Sequence, residues 1–330
     1  MEAPVFCPNP DAKLMEQVRE VLRYYHYAYR TEKTYCQWIL RYVHFFGGQI
    51  HPKNLTAKDI ERFLSDLSLN QSVSASTQNQ AFNALLFLYN RVLNLPLDGK
   101  IQAVRAKKKP KIPTVLSKQE VRKFFIYIDG THALMAKLLY GSGLRLMECM
   151  RLRVKDIDFD RKRLHILGKG SKWRSTILSN SIIPELKIQI EKVRESHQQE
   201  LDAGFGDVYM PKALARKYKN ASKELQWQYV FPAKKRSIDP HTGCERLHHV
   251  MESGLQKAVK SAARKAKIDK QVSCHTLRHS FATSILESGI NIRVLQELLG
   301  HSDVKTTEIY THVMDKDISK ISSPLEDIGL

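Results

Sequence analysis

The stretch from Ser273 to Val313, SCHTLRHSFATSILESGINIRVLQELLGHSDVKTTEIYTHV, limits what this chain can be more than any other. Its apolar residues recur at helical spacing: Phe281, Ile285 and Leu286, then Val294, Leu295, Leu298 and Leu299. Such residues belong to a core. Ser273 suits a helix N-cap and Gly289 a stop; Asn291 opens a second helix and Gly300 closes it. His275 and Arg278 stand three apart, which puts both on one helix face. His301 follows Gly300 on a turn, and Tyr310 comes from a third short segment. Three consecutive elements thus deliver hydrogen-bonding and cationic side chains that together suit a phosphate. Taken singly, the helix, turn and helix also read as an ordinary helix-turn-helix, and a lone tyrosine as a half-buried aromatic.

The charge balance agrees with a phosphate. There are 53 Lys and Arg against 34 Asp and Glu, a net charge of +19. An excess of that size suits a polyanionic partner. No run of about 18 apolar residues occurs, so no transmembrane helix is expected. The start, MEAPVFCPNPDAKL, lacks a basic-then-apolar signal pattern. Five scattered cysteines argue against a disulfide framework and for a reducing compartment.

Residues 1–12 read as a flexible lead with three prolines. Residues 13–96 read as about four helices and no strand. Their inward faces are Leu14, Val18, Val21 and Leu22; then, from Thr31, Tyr35, Trp38, Ile39, Tyr42, Phe45 and Phe46. From Thr56 follow Ile60, Phe63, Leu64 and Leu67, and from Ser74 Phe82, Leu85, Leu86, Tyr89 and Val92. The aromatic stripe of the second helix reads as core or as a base-stacking platform. Residues 97–113, LDGKIQAVRAKKKPKIP, read as a basic linker. Arg105, Lys107, Lys108, Lys109 and Lys111 are placed to follow a phosphate backbone, or simply to face solvent.

From Ser117 helices resume. GSGLRLMECM places Arg145 at a helix start after a glycine-flanked turn, with Glu148 one turn on; an arginine–glutamate pair is the plain reading of both. Residues 163–179, RLHILGKGSKWRSTILS, alternate around Gly168-Lys169-Gly170-Ser171 and read as a hairpin. A nucleotide loop would need G-x-x-x-x-G-K-[ST], which is absent there. His241, Cys244, His248 and His249 are metal-ligand types, but no paired C-x-x-C accompanies them, so no metal is assigned.

H-x-x-R, then L-G-H-S, then a tyrosine resembles the second half of a tyrosine recombinase catalytic domain. The resemblance implies a mainly helical protein with a small β-sheet: an N-terminal SAM-like core-binding bundle and an α+β catalytic domain over 114–330. It implies that Arg145, Lys169, His275, Arg278 and His301 are catalytic, Glu148 supporting and Tyr310 the nucleophile. Lys172 is the near neighbour of Lys169 and the second choice. The implied reaction cuts and rejoins DNA through a 3′-phosphotyrosine, needs no cofactor, metal or ATP, and has His275 take the tyrosine proton while Lys169 protonates the 5′ oxygen.

Residues 198–228 are an insertion that most such enzymes lack. With a basic helix near 213–218 it resembles integron integrases, which recombine gene cassettes at sites folded from single-stranded DNA. That resemblance makes Trp227, Pro240 and His249 candidates to contact protruding bases by stacking; Trp227 as core is the plain alternative. The tail, 314–330, is implied to pack into a neighbouring protomer, giving a homo-oligomer on DNA, a tetramer in synapsis. A cytoplasmic, bacterial, nucleoid-associated location goes with it, and no membrane. The competing readings are a recombinase acting on duplex sites, a non-catalytic helix-turn-helix regulator, and a relaxing topoisomerase of related chemistry.

Overall fold

The computed structural model describes residues 6–97, 101–106, 113–168, 172–239 and 242–311. The chain divides into two units, Met1–Lys111 and Ile112–Leu330.

The first unit is a helical bundle: α1 (Leu14–Tyr24), α2 (Tyr29–Phe45), α3 (Ala57–Leu69) and α4 (Ala75–Phe87), the last continued by a wider π-turn over Leu88–Val92. Thr56 and Ser74 act as the N-caps the sequence suggests. α2 starts at Tyr29, two residues before the expected Thr31. The aromatic stripe of α2 is core: Tyr42 and Ile39 are fully buried, beside Phe63 and Leu85. Burying such side chains stabilises a fold by roughly 1.5–3 kcal/mol each. The buried phenols are paired as burial requires. Tyr89 donates to the Pro52 carbonyl (2.9 Å) and so accepts from Tyr42 (3.0 Å).

Within the stretch read as a basic linker, residues 101–106 are tied to the first unit. Ala103 is buried, the Val104 N–H donates to Ser65 Oγ (3.1 Å), and the buried Gln78 amide holds both Val104 and Ala106 (2.7 and 3.0 Å). Gln78 offers one donor and one acceptor to backbone groups that would otherwise go unpaired. This stretch is therefore strapped across α3 and α4. Arg105 is exposed on it, over the Phe82 ring (5.2 Å). Lys107, Lys108, Lys109 and Lys111 lie outside the described residues.

The second unit begins with α5 (Lys118–Ile126), capped by Ser117, then α6 (Gly130–Gly141) and the short α7 (Leu146–Met150). α6 is apolar over most of its surface, with Ala133, Leu134, Met135, Ala136, Leu138 and Leu139 all buried, which makes it a central helix. A three-stranded antiparallel sheet follows: β1 (Ile157–Asp158), β2 (Arg163–Leu167) and β3 (Trp173–Ile177), in that order, with Leu164 opposite Thr176. Then come α8 (Ile183–Asp202), α9 (Lys212–Lys217), the two-residue strands β4 (Ser237–Ile238) and β5 (Glu245–Arg246), and α10 (Glu252–Lys265). The unit's described part ends with α11 (Cys274–Glu287), α12 (Ile292–Leu299) and α13 (Lys305–Glu308). α11 packs on α6, and α12 on β3. Thr176 on β3 donates to the Ser142 carbonyl (2.8 Å), tying the sheet to the turn before Arg145.

The helix expected over 182–196 runs on to Asp202, into the stretch read from the sequence as an insertion. That segment is folded into the unit. His197 donates from Nε2 to the Lys223 carbonyl (2.8 Å), and Gln228 donates to the Ser222 carbonyl (3.0 Å). Arg153 bonds the Tyr209 carbonyl (2.7 Å) and that of Trp227.

Candidate active site

Arg145 is the residue before α7, and its local structure follows from Glu148. The Arg145 N–H donates to one Glu148 oxygen (2.7 Å) and its guanidinium to the other (2.8 Å), so the carboxylate reaches back to cap the helix start. Across the fold, Arg174 of β3 grips both oxygens of the same carboxylate, each at 2.8 Å, and donates from Nε to the Leu298 carbonyl (2.9 Å). A carboxylate accepts about four hydrogen bonds, so Glu148 is fully occupied. Burial pushes its pKa up, but Arg174 and then Arg145 outweigh that and hold it below the usual carboxylate range.

Arg278 projects from α11, a helix buried on most sides, and is itself only 3% exposed. Three of its five N–H donors are committed: to the Gly143 carbonyl, to the Leu299 carbonyl (2.7 Å) and to His301 Nε2 (3.2 Å). Burial, then Arg145, lowers its pKa to about 10, which leaves it cationic at neutral pH. Gly143 sits at φ +63°, and a Cβ there would meet the Phe281 ring at 2.4 Å. Glycine is therefore required where the chain presents that carbonyl to Arg278.

Gly300 ends α12 in the left-handed conformation the sequence suggests, and the turn aims His301 back at Arg278. Because the guanidinium donates to Nε2, the ring proton lies on Nδ1 and is donated to Thr307 Oγ1 (2.9 Å). Burial, with the Arg278 and Arg145 charges, pushes the imidazole down to about 4, so it is neutral. Tyr310 follows α13, is 1% exposed, and its ring stacks at 6.5 Å on His301. Burial raises its pKa, against the pull of Arg278 and Arg145.

The sequence pointed to His275 as the partner of Tyr310. The hydrogen bond to the Tyr310 hydroxyl is instead made by Nδ1 of His279, at 2.9 Å. His275 lies a turn earlier on α11, exposed, with its ring 6.4 Å from that of His279. Its pKa is lowered by partial desolvation and by Arg278 and Arg145. The physical reason is position along the helix: the two histidines share nearly one face of α11, and the segment after α13 arrives over 279, one turn beyond 275.

Arg145, Glu148, Arg278, His301 and Tyr310 are thus brought together, and sequence reasoning missed Arg174 and His279. Lys169 lies outside the described residues; the hairpin closes on either side of it, where the Gly168 N–H donates to the Lys172 carbonyl (2.9 Å). Lys172 is exposed. Trp227 is half-buried rather than core, with Lys155 Nζ 4.6 Å and Arg153 5.8 Å from its ring centre and Tyr218 beside it at 6.2 Å. His249 is half-buried, donates from Nδ1 to its neighbour Val250 (2.8 Å), and packs on His248 at 4.1 Å. Pro240 and His241 lie outside the described residues. Among the described residues no group of three or more His, Cys, Asp or Glu side chains is placed to hold a metal. Nor is any helix among them long and apolar enough to cross a membrane.

This arrangement, two converging arginines with a neutral imidazole and a buried phenol, sits within residues 114–317, which match the phage integrase family; residues 14–98 match the phage integrase N-terminal SAM-like domain. The chain belongs to the phage integrase family, the tyrosine recombinases, enzymes that cut and rejoin DNA at specific sites. It is 42% identical to an integrase/recombinase of Escherichia coli over 97% of this chain and 95% of that one. It is 31% identical to a tyrosine recombinase of Thermosipho africanus, over 87% and 90%. Among solved structures it resembles XerH site-specific recombinase bound to its palindromic difH substrate, with a TM-score of 0.60 and 20% identity over 95% of this chain and 85% of that one. At that identity the likeness speaks for the fold.

Proposed function

We propose that this chain is an integron-type integrase whose nucleophile is Tyr310. The observation that carries the chemistry is the convergence of Arg145, Arg278, His301 and Tyr310 on one place. A phosphodiester is anionic and resists attack; paired guanidinium N–H groups bind its non-bridging oxygens and stabilise the added charge of the transition state. Arg145 and Arg278 take that role, held in register by Glu148, and His301 supplies a further donor when Nε2 carries a proton, as the negative charge of a bound phosphate favours. Tyrosine has an ordinary pKa of about 10, so roughly one molecule in a thousand is ionised at pH 7. The excess of arginine charge favours the phenolate as it forms. Lys169 protonates the departing 5′ oxygen. The product is a 3′-phosphotyrosyl bond and a free 5′ hydroxyl, and attack by another strand's 5′ hydroxyl reverses the step.

The finer assignment rests on the 198–228 insertion. It is folded into the unit, and it carries a half-buried Trp227 next to Lys155 and Arg153, an aromatic ring suited to stacking beside positive charge suited to a phosphate backbone. Folded single-stranded cassette sites are the proposed substrates, with a tetramer on DNA in the bacterial cytoplasm. His249 and Pro240 are proposed to line the same base. Arg105 and the lysines after it are proposed to lie along the backbone.

The test is a denaturing gel of the protein with labelled single strands of a cassette hairpin, top and bottom separately, and with duplex sites. A shifted band from one folded strand, absent in Tyr310→Phe, is expected. Adducts with duplex sites only would keep the chemistry and reject the integron assignment. Tight binding without any adduct would reject both.

A further inference from the structure

Resting on Tyr310 as the nucleophile, we infer that His279 is a catalytic residue: it takes the phenolic proton during cleavage and returns it during rejoining. Tyr310 is 1% exposed, so bulk water does not reach its hydroxyl to remove that proton. The group in contact with the oxygen is His279 Nδ1, at 2.9 Å, which lies within the reach a general base needs. His301, the other ring near Tyr310, is committed on both nitrogens, accepting from Arg278 and donating to Thr307. His275 holds no hydrogen bond to the hydroxyl.

The charged and titratable groups around His279 are His275 and Arg278 on its own helix, and His301 and Tyr310 from the segments that pack against it. Burial first, then His275 and Arg278, pushes the imidazole down to about 4. It is therefore neutral and able to accept before DNA arrives. The scissile phosphate brings negative charge beside Arg278, which raises the proton affinity of the imidazole when the proton has to move.

The step balances. A Tyr310 oxygen lone pair forms the bond to phosphorus, and the phenolic proton passes to His279 Nδ1. The bond from phosphorus to the 5′ oxygen breaks with its electron pair, and that oxygen takes a proton from the acid assigned to Lys169. In rejoining, the incoming 5′ hydroxyl gives its proton to that lysine, and the His279 imidazolium reprotonates the departing phenolate.

Two substitutions separate proton transfer from placement. In His279→Asn the amide oxygen takes the position of Nδ1 and can accept the Tyr310 hydrogen bond, but it takes no proton at neutral pH. His279→Ala removes both. Single-turnover adduct formation is measured on whichever DNA the wild type cleaves, from pH 6 to 9, with DNA affinity and melting recorded alongside. Both variants are expected to bind DNA as the wild type does and to cleave about 10²–10⁴-fold more slowly. Their rates should climb with pH where the wild-type rate is level. Cleavage by His279→Asn within about threefold of wild type would reduce His279 to a positioning group and overturn the inference. So would slowed variants that keep the wild-type pH profile. His279→Gln replaces the Asn variant if that one melts early. A wild type that forms no adduct with any DNA defeats the assignment of Tyr310, and this inference with it; adducts in the wild type with unaffected variants defeat this inference alone.

Discussion

Replacing Glu148 by alanine should damage the fold as much as the chemistry. The carboxylate is the shared acceptor for Arg145 and Arg174, with Arg278 3.7 Å away. Arg174 is 6% exposed. Without Glu148 its guanidinium stays buried, facing only the Leu298 carbonyl, with Arg145 and Arg278 repelling it. Leaving a buried charge uncompensated costs about 3–5 kcal/mol. For a unit of this size each kcal/mol moves Tm by roughly 2–4 °C, so a fall of about 6–20 °C is expected by calorimetry. Removing the cation as well should recover part of this: Glu148→Ala with Arg174→Ala should melt higher than the sum of the single losses allows. The pH dependence has a definite sign. The folded-state pKa of Glu148 is depressed, so its contribution is complete above the ordinary carboxylate range and is lost as pH falls through the lowered value. The gap between wild type and Glu148→Gln should narrow in acid. A Glu148→Ala protein that melts within a degree of wild type would refute the buried cluster as a structural centre. A strictly additive double variant would refute the coupling.

Gly143→Ala should cost about 1–3 kcal/mol through overpacking, since the new methyl meets Phe281 at 2.4 Å, and should slow adduct formation by shifting the Arg278 acceptor; calorimetry and the gel assay check both. Trp227→Ala should weaken binding of a folded single strand by about 1–3 kcal/mol, roughly 5–150-fold in Kd, and leave a plain duplex unaffected in the same titration. His248, His279 and His301 are each pushed down to about 4. As pH falls from the ordinary histidine value towards 4, the unfolded chain takes protons that the folded one refuses, so stability must decline over that window. A urea midpoint that is flat between pH 7 and 5 would contradict this, and bound DNA should flatten the decline by raising those pKa values.

What could be read from the sequence was local. Ser273, Asn291, Ser74 and Ser117 cap helices because an oxygen on a short side chain reaches an N–H two or three residues on, and Gly300 stops α12 because a left-handed residue is needed within the same turn. The four-helix unit, the hairpin, and the nearness of Arg145 to Glu148 follow from spacings of that order. The same holds for His301, which the Gly300 turn sets against the end of α11.

The misses are contacts that no local pattern encodes. Arg174 shows one faint signal: it alternates inward with Thr176 on β3 while Trp173, Ser175 and Ile177 face out. An inward arginine must find an anion, but its partner is 26 positions earlier, on another element. Residues 101–106 read as a linker because composition is blind to Gln78, whose buried amide returns 26 and 28 residues later to strap them down. The case of His279 is sharper. H-x-x-R-H offers two histidines four apart, on nearly the same helix face, and the spacing does not choose between them. The choice is made by where a segment 31 residues downstream arrives. It arrives over 279 because α12 packs on β3 and Gly300 turns the chain back across the end of α11. The identity of the group that meets the Tyr310 hydroxyl is therefore a property of tertiary packing, and the motif supplies only the alternatives from which that packing selects.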